Sequence, residues 1–377
     1  MKKLLICLLA LVVAACSKSS GEKAQENTLV EQQLKEIMEA HSAVGLSVAA
    51  VKDGKIVYSN ALGYKDRENK VAMKEDDILR IASISKTFVG TGIMQLVEAG
   101  KLGLDDDIST ILGVNARNPK YPDKAITVRM LLSHTSSMSD KHGYFTMDDL
   151  NDNAWESYEP GSKYQYCNLG FNTLGAIIEK VSGVRFDKYI YENILKPIGV
   201  YAHHNVMELD STKFIKIYKY NGGAFNCSKD AYASPESKLK NYVMGYSTPV
   251  FSPTGGLKIS AKDLARVMIM HMNYGTIDGV KILDKSSCEL MQSELTSTNY
   301  PGESYGFSMI SSNDLISGVR VVGHDGLALG AYTAMYWDRK TNFGVVVMTN
   351  GCDGKTDKTF ANILCKSAEC LYKNFAK

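Results

Sequence analysis

The stretch that decides the fold is Arg80-Ile81-Ala82-Ser83-Ile84-Ser85-Lys86-Thr87-Phe88. Apolar residues recur at helical spacing after it and Gly100 follows as a stop signal, so the sequence predicts a helix that ends near Gly100. Ser83 would lie at the amino end of this helix, where unpaired N–H groups and the helix dipole favour negative charge. Lys86, three residues later, would share a helix face with Ser83.

This Ser-x-x-Lys spacing is typical of a nucleophile held beside its base. A serine hydroxyl is a weak nucleophile until a neighbouring base takes its proton. A lysine can be that base only where burial or nearby cations lower its pKa. The same spacing also occurs at Ser20–Lys23 and Ser237–Lys240, and an isolated match is explained more simply by a serine helix cap and a surface lysine. The remainder of the chain therefore has to decide between the two interpretations.

Composition sets the class of protein. The chain has 377 residues, of which 45% are hydrophobic and 22% charged, as expected of a globular protein with a sizeable core. This length allows one large domain or two intertwined ones. The net charge of +2 favours neither nucleic acid nor an anionic membrane surface as a partner.

The cysteines and histidines do not form a metal-binding pattern. Neither Cys-x-x-Cys nor His-Glu-x-x-His occurs, so we predict no metal site and expect no cofactor. The adjacent His203 and His204 are interpreted as a surface pair. Cys365 and Cys370 are close enough in sequence for a disulfide to be considered.

The first residues are typical of an export signal. Met1-Lys2-Lys3 precedes an apolar run that is too short to span a bilayer as a stable helix. The run ends in Val13-Ala14-Ala15-Cys16, which resembles a bacterial lipobox with Cys16 as the lipidated residue. An ordinary signal peptide that happens to contain Cys16 is the alternative. We expect residues 1–15 to be a lipoprotein signal peptide and 16–28 a polar tether, with the mature chain lipid-anchored in the cell envelope, on the periplasmic side or at the outer membrane.

Periodicity predicts a mixture of helices and strands. The predicted helices include Leu29–His41, Phe171–Val181, Ser260–Met272 and Asp357–Phe375, and the predicted strands include Gly45–Val51, Ile56–Leu62, Val319–Val322, Ala331–Trp337 and Phe343–Met348. An Asp-Gly turn joins the first two strands into a hairpin. Asp105, Asp106 and Asp107 are interpreted as turn and cap residues, His134 as a structural residue, and residues 201–248 as loops around a cleft.

Five motifs, taken in order, resemble the serine β-lactamase and penicillin-binding protein family, most of all its class C β-lactamase-like hydrolases. They are Ser83-Ile84-Ser85-Lys86, Leu131-Leu132-Ser133-His134-Thr135-Ser136, Pro160-Gly161 leading to Tyr166-Cys167-Asn168, Gly255-Gly256-Leu257, and Gly323-His324-Asp325-Gly326. The resemblance covers about Leu29 to Tyr372. It implies an α+β fold of the β-lactamase/transpeptidase type, in which an antiparallel sheet flanked by helices (residues 29–105 with 254–377) carries an inserted, mostly helical domain (106–253). The active site would lie in the cleft between the two.

The resemblance also implies a role for each motif. Ser83 would attack a carbonyl, Lys86 and Tyr166 would share the proton transfers, and the backbone N–H groups of Ser83 and Leu327 would form the oxyanion hole. Which of Lys86 and Tyr166 takes the serine proton stays open. The remaining predicted contacts with substrate come from Asn168, His324, Asp325 and Gly326.

The implied activity is that of a serine hydrolase that forms an acyl-enzyme with an amide or ester. The substrate would be a small molecule or peptide, and a monomer is expected. The alternative is a lipoprotein that binds cell-wall peptides or β-lactams without turning them over. Loss of Ser83, Lys86 or Tyr166 would favour that alternative, and all three are present.

The chain departs from the family pattern at two places. Ser136-Ser137-Met138 stands where Ser-Gly-Leu is common, which we interpret as a structural change. His324-Asp325-Gly326 replaces Lys-Thr-Gly, and a carboxylate at Asp325 would repel a substrate carboxylate if it faced the cleft. The alternative is that Asp325 points away and caps a turn.

Overall fold

The computed structural model describes residues 25–377. The predicted signal peptide and Cys16 lie outside these residues. Within them, no helix is long and apolar enough to cross a membrane. The α-helices are residues 25–40 (α1), Ser85–Glu98 (α2), Ile108–Leu112 (α3), Val128–Leu132 (α4), Asn168–Ser182 (α5), Phe186–Ile190 (α6), Glu236–Leu239 (α7), Ala261–Met272 (α8), Lys285–Met291 (α9) and Asn362–Phe375 (α10).

The strands are mostly short outside one large sheet. They are Gly45–Lys52 (β1), Lys55–Asp66 (β2), Val71–Ala72 (β3), Leu79–Arg80 (β4), Ala202–His203 (β5), Tyr218–Asn221 (β6), Ala224–Cys227 (β7), Lys258–Ile259 (β8), Thr276–Ile277 (β9), Val280–Lys281 (β10), Thr296–Ser297 (β11), Ser304–Tyr305 (β12), Ile310–Ser312 (β13), Val321–Ala328 (β14), Ala331–Asp338 (β15) and Phe343–Thr349 (β16).

The central sheet joins the two ends of the chain. Its nine strands run in the order β11-β12-β13-β14-β15-β16-β1-β2-β3, and each pairing is antiparallel. β1 pairs with β16, so that Val48 lies opposite Val347. The predicted α+β fold, with the amino-terminal hairpin and the carboxy-terminal strands in one sheet, is confirmed. The predicted boundaries of an inserted domain stay a prediction.

Each face of the sheet packs against a different set of helices. Alternate residues of a strand point to opposite faces. In β1, Leu46, Val48 and Ala50 belong to the apolar cluster that includes residues of α1 and α10. Ala49 and Val51 belong to the larger cluster that includes residues of α2, α5 and α8. The candidate nucleophile, Ser83, therefore immediately precedes a helix (α2) that is part of the larger core.

Several local predictions differ from the structure. The last helix begins at Asn362, later than predicted, and the helix predicted from Phe171 begins at Asn168. Residues 201–248, predicted as loops, contain the β6–β7 hairpin and several single turns of helix. The acidic connector behaves as predicted, because Asp107 caps α3 by accepting the N–H of Ser109.

The interpretation of His203 and His204 as a surface pair is wrong. They are 5% and 2% exposed, because β5, which ends at His203, pairs with β8 inside the protein and His204 follows directly. The cysteine pair considered for a disulfide does not form one, since Cys365 and Cys370 are both free. They are five residues apart on α10, so their side chains leave the helix on different faces.

The buried carboxylate of Glu179 holds the start of α6 and residues 242–248 against α5. Glu179 of α5 is fully buried and accepts hydrogen bonds from four groups. These are the N–H of Phe186, the hydroxyl of Tyr242, the N–H of Gly245 and the hydroxyl of Thr248. Charge-assisted hydrogen bonds of this kind are about twice as strong as neutral ones.

We expect Glu179→Ala to lower the free energy of unfolding by about 3 kcal/mol or more, because it removes the acceptor of four donors, three of them on buried residues. Urea unfolding followed by circular dichroism measures this change. Glu192→Ala removes a glutamate from an exposed pair with Lys196 and should leave the unfolding midpoint unchanged. Equal unfolding curves for the two variants would contradict a role of Glu179 in stability.

Candidate active site

Ser83 is presented on a tight turn immediately before α2. It lies in the 3-10 turn Ala82–Ile84, in which Ala82 adopts φ +49°, an uncommon backbone conformation for a residue with a side chain. Ser83 is half-buried, whereas Ile84 and residues 85–94 of α2 are buried. Ser83 is therefore more exposed than the helix behind it, which is part of the core.

Lys86 is a fully buried lysine that contacts Ser83. Its Nζ lies 3.1 Å from Ser83 Oγ, 2.8 Å from Asn168 Oδ1 and 2.9 Å from the carbonyl oxygen of Thr254. Nζ also lies 4.8 Å from the centre of the Tyr166 ring. Burial lowers the pKa of Lys86 to about 7. At neutral pH a large fraction of Lys86 is thus uncharged and has a free lone pair.

Tyr166 also contacts Ser83, but its pKa is shifted upward, whereas the pKa of Lys86 is shifted downward. Burial raises the pKa of Tyr166 far above its usual value, and a hydrogen bond with Ser83 only partly opposes this. Its hydroxyl is therefore protonated at neutral pH. The charges of Asp325 and Asp140 raise this pKa further.

Asn168 contacts Lys86 and a residue that the sequence analysis missed. The Oδ1 atom of Asn168 accepts from Lys86 and from the hydroxyl of Thr254. Its Nδ2 atom donates to Asp140 Oδ2 at 2.8 Å. Asp140 follows the Ser133–Ser139 stretch and no motif includes it. A weak sequence signal exists, because α5 begins after Cys167, which cannot cap a helix well, so a cap from another segment is needed.

His134 holds the loop that carries Tyr166. Its Nδ1 accepts the N–H of Cys167 at 3.1 Å, and its carbonyl oxygen accepts the N–H of Gln165 at 2.8 Å. Burial lowers the pKa of His134 well below its usual value, so the ring is neutral. The prediction of a structural histidine agrees with these contacts.

His324 on β14 is neutral and engaged at both ring nitrogens. Nε2 lies 3.2 Å from the hydroxyl of Tyr305, and Nδ1 lies 2.6 Å from the carbonyl oxygen of Asp325. Burial, together with the charge of Lys86, lowers the pKa of His324 to about 3. His324 therefore supplies no positive charge, and its ring nitrogens do not orient the hydroxyl of Tyr166.

Asp325 on β14 contacts Tyr336 of β15. Its Oδ1 accepts the hydroxyl of Tyr336 at 3.2 Å. Burial raises the pKa of Asp325, and its charge in turn affects the pKa values of both Lys86 and Tyr166. Tyr336 belongs to the apolar cluster that includes residues of α1 and α10, so this contact directs the carboxylate toward that face of the sheet. Whether Asp325 faces a bound substrate stays a prediction.

Gly326 and Leu327 lie beside the turn that carries Ser83. A Cβ atom added to Gly326 would be 2.3 Å from the carbonyl oxygen of Ile81, so only glycine allows this approach. β13 pairs with β14 only over Val321–Gly323, which leaves one edge of β14 without a strand partner beyond that range. The N–H of Leu327 lies in this part of the strand, and its role in an oxyanion hole stays a prediction.

The described residues contain no cluster of histidine, cysteine, aspartate and glutamate that could hold a metal ion. The groups that the structure brings together are a serine, a buried amine, a phenol and an amide. This set is suited to proton transfer and nucleophilic attack.

Comparison with known proteins identifies the family. The family model described as Beta-lactamase matches residues 30–367. Penicillin-binding protein 4* of Bacillus subtilis (strain 168) is 28% identical over 343 residues, with 86% of this chain and 71% of that protein covered. The part of the chain matched by the family model therefore includes all five motifs and nearly all of the described residues.

Solved structures share the same fold. The octameric penicillin-binding protein homologue from Pyrococcus abyssi superposes with a TM-score of 0.73 at 25% identity, covering 90% of this chain and 76% of that one. The D-amino acid amidase from Ochrobactrum anthropi SV3 superposes with a TM-score of 0.72 at 20% identity, covering 92% and 98%. At that identity the amidase shows the fold alone. The chain therefore belongs to the beta-lactamase family and is a serine hydrolase of that family.

Proposed function

We propose that this hydrolase forms its acyl-enzyme on Ser83, with Lys86 as the base that takes the serine proton. One observation carries the proposal: the Nζ atom of the buried Lys86 lies 3.1 Å from Oγ of the half-buried Ser83. A base with a pKa of about 7 is well matched to proton transfer at neutral pH. Tyr166, with its raised pKa, is a poor candidate for the base because its phenolate is scarce at neutral pH.

The reaction would proceed in two halves. Lys86 takes the proton of Ser83 Oγ as this oxygen bonds to the carbonyl carbon, and the carbonyl oxygen becomes an oxyanion held by the N–H groups of Ser83 and Leu327. The bond to the leaving group then breaks, and Tyr166 passes a proton from Lys86 to the departing nitrogen or oxygen. In the second half, water bonds to the acyl carbon and loses a proton to Lys86; the bond from that carbon to Ser83 Oγ then breaks, Oγ takes the proton back from Lys86, and the acid leaves.

The proposed role of Tyr166 follows from its contacts. Its ring lies beside Lys86 Nζ and its hydroxyl contacts Ser83, so it is placed between the base and the bond that breaks. A hydroxyl that stays protonated can donate one proton while it accepts another.

The non-catalytic alternative gives no reason for a lysine to be buried against a serine without a carboxylate partner in direct contact.

The edge strand supports a preference for substrates that lack a carboxylate at that end. His324 is neutral where many relatives have a lysine, and the adjacent Asp325 supplies a potential negative charge. Small esters, and amides or peptides without a carboxylate at that position, fit this environment better than penicillins do. One chain of the same fold is a D-amino acid amidase, so D-amino-acid anilides belong in the substrate panel.

The proposed location is the cell envelope, with the chain tethered by a lipid on Cys16. The support for it is the basic start, the short apolar run and Val13-Ala14-Ala15 before Cys16. A lipid anchor would hold a hydrolase near envelope substrates without a membrane-spanning helix. Whether the chain is a monomer stays a prediction; the homologue from Pyrococcus abyssi is octameric.

The rate of the reaction should depend on the deprotonation of Lys86. Because the lysine must be uncharged to accept a proton, kcat/KM should fall about tenfold per pH unit below about pH 7 and level off above it. Initial rates with p-nitrophenyl butyrate from about pH 5.5 to about pH 8.5 measure this. A flat profile across that range in folded protein would rule out Lys86 as the base.

The substrate preference should show in a comparison of kcat/KM for nitrocefin, p-nitrophenyl butyrate and D-amino-acid anilides. We expect nitrocefin to be the poorest, because like charges about 4 Å apart cost on the order of 1 kcal/mol in water and more in a cleft. Asp325→Thr should raise the ratio of nitrocefin to ester turnover about fivefold or more. Asp76→Thr, which removes an exposed carboxylate paired with Lys213, serves as the control. An unchanged ratio in Asp325→Thr would clear Asp325 of this role.

The lipid anchor can be tested by growth with radiolabelled palmitate. The unaltered chain should be labelled and sediment with membranes, and Cys16→Ala should lose both properties. Cys7→Ala, within the apolar run, should keep them. A soluble, unlabelled product of the unaltered chain would show that Cys16 is not lipidated.

A further inference from the structure

Asp140 caps the helix that carries Asn168, although it belongs to a distant segment. The N-cap residue of α5, Cys167, makes no capping hydrogen bond through its side chain. Asp140 instead accepts the N–H of Asn168 and the N–H of Leu169, each at 2.9 Å. A carboxylate at the amino end of a 15-residue helix is also favoured by the helix dipole. Asp140 is thereby fixed in front of α5.

The same carboxylate sets the orientation of the Asn168 amide. Asn168 Nδ2 donates to Asp140 Oδ2 at 2.8 Å, so Asn168 Oδ1 points the other way and accepts from Lys86 Nζ at 2.8 Å. A flipped amide would place its oxygen against the carboxylate and its NH2 group against the Lys86 amine. The contact between the amide oxygen and the carboxylate would be repulsive whatever the charge of Lys86, so Asp140 leaves one orientation available.

We propose that Asp140 is a positioning residue for the reaction at Ser83. It holds the Asn168 amide so that Oδ1 keeps the Lys86 amine against the serine hydroxyl, and its charge favours the ammonium form of Lys86 that arises when the proton moves. This inference rests on the proposed roles of Ser83 and Lys86.

The negative charge of Asp140 raises the pKa of Lys86. Burial lowers the pKa of Lys86, and the negative charge of Asp140 is the first of the effects that oppose this. The other titratable groups that act on Lys86 or are acted on by it are Cys167, Asp325, His134 and His324, and the Tyr166 ring lies beside it. Without the charge of Asp140, burial lowers the pKa of Lys86 further. Lys86 then stays uncharged to lower pH and becomes a weaker base.

The test is the rate at which a fluorophosphonate probe labels Ser83 as a function of pH, which requires no knowledge of the natural substrate. In Asp140→Asn the plateau rate should fall about tenfold or more, and the midpoint of the pH profile should move about half a unit or more to lower pH. Asp105→Asn is the matched control: it removes a carboxylate that pairs with Arg129 on the surface, and its profile should overlay the unaltered one.

A second variant covers the case in which Asp140→Asn does not fold. Asp140→Ser is smaller, keeps a polar side chain and also removes the charge, so it should show the same shift of the midpoint. In an Asn168→Ala background, Asp140→Asn should reduce the plateau rate much less than in the unaltered chain, because the positioning effect acts through that amide.

The outcomes separate the inference from the proposed function. A purely structural role would lower the yield of active protein or the plateau rate without moving the midpoint, and an unmoved midpoint in folded Asp140→Asn or Asp140→Ser overturns the inference alone. Absence of labelling at Ser83 in the unaltered chain overturns the proposed function and the inference with it.

Discussion

The buried amine of Lys86 is the constraint on which the rest of the site depends. A buried amine is costly unless its hydrogen bonds are satisfied and its charge is reduced or compensated. Here the partners come from three segments: the turn before α2 (Ser83), the start of α5 (Asn168) and the loop before β8 (Thr254). The site therefore exists only when these segments are packed together, which ties the reactivity of Ser83 to the whole fold.

The fold meets this constraint through a few long-range contacts. The β1–β16 pairing joins the ends of the chain, and β14 approaches the Ser83 turn where Gly326 leaves room for the carbonyl of Ile81. Arg80, on the strand before Ser83, donates through Nε to the carbonyl of Gly255 at 2.8 Å, and so holds the loop that contains Thr254. These contacts fix backbone rather than side chains, so the geometry at Lys86 is preorganised before a substrate arrives.

Sequence reasoning found the groups that are marked by local pattern. Ser83 and Lys86 are three residues apart at a helix start, and Tyr166 follows a Pro-Gly turn and precedes an apolar helix, so the order of these motifs, matched to the family pattern, selects them. Asp140 was missed because its role depends on contact with the start of α5, 28 residues later. The burial of His203 and His204 likewise depends on β5–β8 pairing, which has no local signal. The neutrality of His324 and the raised pKa of Asp325 follow from burial, which a sequence does not specify.

The central claim is that Ser83 carries the acyl group, and its most direct measurement is mass spectrometry of a rapidly quenched reaction with p-nitrophenyl butyrate. The account predicts one butyryl group on the peptide that contains Ser83, and neither adduct nor turnover in Ser83→Ala. Circular dichroism would establish that the variant is folded. A butyryl group on another residue, or full turnover by Ser83→Ala, would contradict the account.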